Sequence, residues 1–185
     1  MSLASLRDAV VAKIDQATSR KVHCASHGGR FDLHELKRIS TKAPAVFVAV
    51  LGFSDLTESC GDYEAWVTWG AFVVTRDRPG QPRDLAALSI VDMLSLLIPG
   101  NTWDLKESIS TAERTRADNL FSTVIDKAGM AMWAISWRQN MTLGQAMTES
   151  DLASLDPFAT LSAKYPLAGD APEAEDLVNL PQDGE

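Results

Sequence analysis

The sequence predicts an α+β protein: a four- to five-stranded, mostly antiparallel sheet packed with two main helices and followed by an extended C-terminal tail. Three observations lead there. Residues 45–51 form an uncharged, β-branched run between Pro44 and Gly52, of strand length and apolar on both sides. Residues 63–76 alternate over a long span, with Tyr63, Ala65, Val67, Trp69, Ala71 and Val73 on one side and Trp66, Phe72 and Val74 on the other. Residues 85–98 are apolar almost all round at helical length.

Taken in order, residues 5–19 place Leu6, Val10, Ile14 and Ala17 on one helical stripe, with Ser2 or Ser5 available as a cap. A short strand is expected over 21–25, then a turn at Gly28-Gly29 and a short helix over 31–39 with Phe31 anchored in the core. Residues 53–62 read as a polar, glycine-ended loop. Gly70 inside the long strand signals a bulge or a close approach. The strand exceeds what a compact sheet needs, so one end is expected to project as an arm, and the loop 76–83 is assigned to it. The 85–98 helix is expected to be capped by Asp84 and to bury Leu85, Leu88, Val91 and Leu94 or Met93. Residues 103–116 are polar and carry no clear pattern, whereas 119–126 and 130–137 suggest a hairpin.

Charge divides the chain. Of 17 basic and 25 acidic residues, 149–185 hold one Lys and nine acids, so the excess of −8 lies in this extension and residues 1–148 balance. A neutral body argues against a nucleic-acid binder, which normally shows a basic face. One domain over 1–148 and an acidic C-terminal extension over 149–185 follow. Leu152, Leu155, Phe158, Leu161 and Tyr165 recur at three- to four-residue spacing, which suggests a short docked helix over 151–165, with the rest of the tail either mobile or ordered only along a partner. Charges within the first nineteen residues, and the lack of a long uncharged apolar run, point to a chain folded in the cytosol without membrane contact.

No chemical constellation stands out. His23, Cys24, His27 and His34 are metal-ligand types without zinc spacing, and Cys24 and Cys60 are expected to be free thiols. Asp55, Glu58, Asp62 and Glu64 crowd ten residues without the denser alternation of a calcium loop. Catalytic, cofactor and metal assignments are therefore none. The five tryptophans and the arginines suit packing and interface anchoring instead, and the candidate inter-subunit contacts are Arg76, Arg78, Arg83, Trp66, Phe158 and Tyr165.

The layout is similar to a known family. The opening helix, the Gly-Gly turn with Phe31-Asp32, the run Ala43-Pro44-Ala45-Val46-Phe47-Val48 with Leu51-Gly52, and Ala128-Gly129-Met130-Ala131-Met132-Trp133-Ala134-Ile135-Ser136-Trp137 resemble the tail-terminator (tail-completion) proteins of Mu-like bacteriophages over roughly residues 1–148. The resemblance implies a non-enzymatic virion protein at the tail–neck junction, assembled in the host cytoplasm. It implies a ring of six subunits that caps the tail tube, stops its growth and offers the head-attachment surface. The implied partners are further copies of the chain, the tail tube protein and a head-completion or stopper protein, with genomic DNA passing through the ring unread. The alternatives are another neck or head-completion protein, or a small cytosolic enzyme of unfamiliar motif.

Overall fold

The computed structural model describes residues 2–29, 31, 33–59, 61–105, 109–145, 160–165 and 174–179. The elements run α1 (Leu3–Ala17), β1 (His23–Ser26), α2 (Leu33–Ser40), β2 (Ala45–Ser59), β3 (Asp62–Arg76), α3 (Arg83–Leu97), β4 (Glu113–Asn119), α4 (Thr123–Lys127), β5 (Met130–Gln145), β6 (Thr160–Tyr165) and β7 (Ala174–Asn179). Residues 1–146 and 147–185 form separate compact units. The first is an α+β unit around a five-stranded sheet in the order β1-β2-β3-β5-β4. Only the β1–β2 pair is parallel, with α2 as the crossover; the other pairs are antiparallel.

β2 begins as the expected doubly covered strand. Side chains alternate across a strand, so Val46 and Val48 join one core while Ala45, Phe47 and Ala49 join the other. On the first face lie Leu6, Val10 and Ile14 of α1 with Val91 and Leu94 of α3, packed on Trp69 and Trp137. On the second lie Leu36 and Ile39 of α2 and Ile125 of α4 with Phe72 and Val74. Each fully buried valine or phenylalanine contributes about 1.5–3 kcal/mol. Ser2 and Ser5 close a reciprocal capping box at the start of α1. Phe31 is seated between His27 and Phe72, with both ring centroids at 4.4 Å.

Several local expectations are corrected. Residues 53–59 are strand rather than the expected loop: β2 runs on to Ser59 and pairs with β3 as far as Ser59↔Asp62, with irregularities at Val50/Gly52 and Ser54/Thr57. The polar sequence shows no alternation there because β3, not β2's own pattern, supplies the template. Gly70 keeps unbroken register with both neighbours, so it marks a close approach: a Cβ would meet Leu51 Cδ1 at 3.0 Å. The hairpin expected from 119–126 lies earlier, with β4 as the partner of β5, and residues 123–127 form α4 under a Ser122 cap. β5 reaches Gln145, well past Trp137.

α3 buries Val91 and Leu94 as expected, but its first turns face inward through alanines rather than through Leu85 and Leu88. Ala86, Ala87, Val91 and Leu94 are buried, while Leu85 and Leu88 are 56% and 40% exposed. A helix apolar all round does not itself select a face; small alanines let its backbone approach the sheet, and the leucines point out. Its N-cap is Pro82 without a side-chain cap bond, and Asp84 lies in its first turn.

The second unit is an antiparallel pair, from Thr160↔Asn179 to Tyr165↔Ala174. The helix expected over 151–165 is therefore a strand where it is described. Leu161, Ala163 and Tyr165 alternate with Ser162 and Lys164, so a period of two fits as well as 3.6, and a partner strand decides. Residues 151–159, Phe158 among them, and Cys60 lie outside the described residues.

Candidate interaction surface

The long strand does overrun the body, but at the end opposite to the one expected. β1 pairs with β2 only as far as Val48. Among the described residues no strand pairs with the outer edge of β2 beyond it, so Ala49–Ser59 leaves a free edge. Leu51, Phe53 and Leu56 on that edge are 47%, 54% and 52% exposed, and Tyr63 across the hairpin is exposed too. Phe53 pairs with Val67 and so shares the face of Trp69, but here α1 and α3 no longer cover it. These positions went unnoticed in the sequence because three apolar residues interleaved with Ser, Asp, Thr and Glu read as loop. The available signal was β3 itself, whose length required an equally long partner.

The other face of this arm is polar. The Arg138 guanidinium lies over the Trp66 ring at 5.3 Å, reaches Asp55 Oδ2 at 3.3 Å and donates to Ser54 Oγ at 3.2 Å. Glu113 and Arg114 complete a hollow of about 200 Å³, below the roughly 300–1,000 Å³ of a typical small-molecule pocket. Trp66 is thus half-buried beneath an arginine rather than free. Beyond it, Glu58, Asp62 and Glu64 occupy the tip, and none of them enters an ion pair among the described residues.

The loop 76–83 is folded back rather than projecting. Arg78 and Gln81 exchange backbone bonds of 3.1 and 2.9 Å around Pro79-Gly80, with Gly80 at φ +76°. Arg78 Nη2 donates to the Ala43 carbonyl at 2.9 Å. Arg83 pairs with Asp126 at 2.6 Å and with Asp77 at 3.8 Å. Arg76, the last residue of β3, is exposed and in no ion pair among the described residues. Tyr165 lies in β6 of the second unit.

The histidines and the thiol are not brought together. His23 and Cys24 are strand neighbours and face opposite sides: His23 packs edge-on to Phe47 and Cys24 against the α1 side. His34 is exposed on α2. Burial, assisted by nearby Asp15, pushes the Cys24 thiol up to about 11, so it is not a nucleophile near neutral pH. His27 is buried, accepts from Gly29 N–H at 2.9 Å through Nδ1 and therefore donates through Nε2 to Glu35 at 2.6 Å. Arg38 grips the same carboxylate, and its hydrogen bonds, with that of His27, hold the Glu35 carboxyl down at about 2. This cluster ties α2 to the end of β1. Among the described residues no three His, Cys, Asp or Glu side chains are grouped to hold a metal ion, and no helix is long and apolar enough to cross a membrane.

Residues 2–142 match the family model described as Bacteriophage Mu, Gp37. No curated protein matches the chain. The matched span covers α1 through nearly all of β5, and so the arm and both cores.

Proposed function

From the premise that the chain belongs to the Bacteriophage Mu, Gp37 family, and so is a Mu-like phage protein, we propose that it is a structural component of the virion and serves as the tail terminator. Its subunits close into a six-membered ring on the last ring of the tail tube, halt tube growth and present the surface to which the head-completion or stopper protein binds. DNA threads the ring without being read. The role is non-enzymatic.

The observation that carries this reading is the β2–β3–β5 arm, which displays apolar side chains and an unpaired strand edge beyond the helical layers. Asp55, Glu58 and the two register irregularities on this edge deter indiscriminate strand pairing, while the exposed Leu51, Phe53 and Leu56 leave an apolar surface for a specific partner. A ring closed by head-to-tail contacts needs two different patches on each subunit. α3 offers a second one, since Leu85, Leu88 and Leu96 are exposed and Leu96 is 86% so.

The test is to add the purified protein to polymerising tail tube protein and measure tube lengths by electron microscopy. Short tubes bearing a ring at one end are expected. Unchanged tube lengths, with binding to the head-side protein instead, would move the chain to the stopper position.

A further inference from the structure

We propose that the groove between α3, α4 and the start of β5 is a docking site for a basic, apolar segment of another protein. It opens because β4 ends early. β4 pairs with β5 no further than Asn119↔Trp133, and Leu120 N–H donates to the Met132 carbonyl at 3.0 Å as the chain leaves the sheet. The chain then turns into α4 under the Ser122 cap. Met130 and Ala131 therefore pair with β3 on one side and lie beyond the end of β4 on the other. The open groove of about 400 Å³ at this place has Ile125, Met130 and Met132 as its buried floor, and Phe121, 73% exposed, at its border. Methionine adapts to the shape of an incoming side chain, and an apolar floor beside an exposed aromatic suits an anchored protein contact.

The rim sets the charge of the occupant. Asp77, Asp84 and Asp126 line the groove against Arg83 alone, so three carboxylates face one guanidinium. Arg83 is already engaged: its Nη2 meets Asp126 Oδ1 at 2.6 Å, its Nε lies 3.8 Å from Asp77, and its backbone N–H donates to Asp77 at 2.9 Å. Asp84 enters no ion pair among the described residues. Arg76 and Lys127 are chain neighbours of the rim, but both are exposed and neither lines the groove. An anionic ligand is disfavoured even though α3 begins here, because the Asp84 carboxylate already occupies its first turn. The most charged segments of this chain share the rim's sign: residues 149–185 hold nine acids and one lysine, and the arm tip holds Glu58, Asp62 and Glu64. The complement is a foreign segment that seats an apolar side chain on the floor and sets a lysine or arginine against the rim, an apolar centre within a charged border.

The inference depends neither on ring closure nor on tube capping. Its test uses short labelled peptides with a common Leu-Phe-Leu centre, flanked by lysines, by serines or by glutamates, with binding read by fluorescence anisotropy. The lysine peptide should bind about tenfold more tightly than the serine peptide at low salt, the preference shrinking as salt rises. The glutamate peptide should not bind. Phe121→Ser, at an exposed position, should weaken the lysine and serine peptides alike. Asp84→Asn should cut the lysine preference about threefold, the scale of an exposed ion pair. Asp92→Asn removes the same charge from an exposed site of α3 outside the groove and should change nothing. Circular dichroism verifies that each variant is folded. Equal affinity for the lysine and serine peptides, equal effects of Asp84→Asn and Asp92→Asn, or no binding of any peptide overturns the proposal. So does release of self-associated parent protein by the lysine peptide, which would make the occupant a second copy.

Discussion

Gln139 is fully buried on the apolar face of β5, where an amide survives only because every polar atom is paired. Its oxygen accepts from the Trp103 and Trp137 indoles at 2.7 and 2.9 Å, and its nitrogen donates to the Asn101 and Ser110 carbonyls at 3.1 and 2.8 Å. The side chain thereby fixes the connection between α3 and β4 onto the sheet. Gln139→Leu leaves the two indole donors and the Ser110 carbonyl unpaired in the core, the Asn101 carbonyl still accepting from Ala112 N–H, and should cost about 3 kcal/mol or more, measured by urea unfolding. Val48→Asp places an unpaired carboxylate between two apolar layers and should abolish soluble expression, since its cost of several kcal/mol rivals a domain's whole stability, about 5–15 kcal/mol. Glu35 carries a pH signature. Its carboxyl lies at about 2 when folded against an ordinary 4.5, so its stabilisation is full above about 4.5 and fades as pH falls toward 2. Thermal melts across that window should show the parent approaching Glu35→Gln in stability; a constant gap would remove the carboxylate as the cause.

The loop between β3 and α3 shows how a single element divides its arginines. Arg83 holds Asp126 of α4 and is only 26% exposed, whereas Arg76 is exposed and Arg78 meets a single backbone carbonyl. Arg83→Ser should lower the melting temperature by a few degrees, equivalent to about 1 kcal/mol, and Arg76→Ser should leave it within error. If Arg76→Ser nonetheless weakens self-association, its role lies outside its own subunit. Equal melting losses for the two variants would contradict this division of the loop. The arm behaves differently as an element. Its regularity comes from backbone pairing on three strands, which lets β2 carry Gly52, Asp55 and two register irregularities without losing its partner.

The first unit carries two core clusters of its own. Both core clusters draw their described residues from Leu3 to Leu143. A chain ending at Thr148 should therefore melt within about 2 °C of the full protein, by calorimetry. This replaces the loss of solubility that a docked helix over 151–165 would entail. A chain ending at Leu167 removes β7 and leaves β6 without its partner, so amide exchange at 160–165 should be fast there and slower in the full chain. Equal protection in both would mean that β6 does not depend on β7.

The α+β class, the start of β2, the whole of β3 and the stripe of α1 were legible in the sequence by itself, because each rests on a periodicity written into neighbouring residues. So was the Mu-like resemblance, which lies in the same apolar segments. Tertiary structure alone decided the parallel docking of β1, the outer half of β2, the start of β4 and the inward face of α3. In each case local pattern is degenerate: a polar strand takes its register from its neighbour, and an all-apolar helix takes its buried face from the sheet. The arm belongs to this second group. Its exposed Leu51, Phe53 and Leu56 follow from pairing along β3 beyond the reach of the helices, a geometry that no short stretch of sequence encodes.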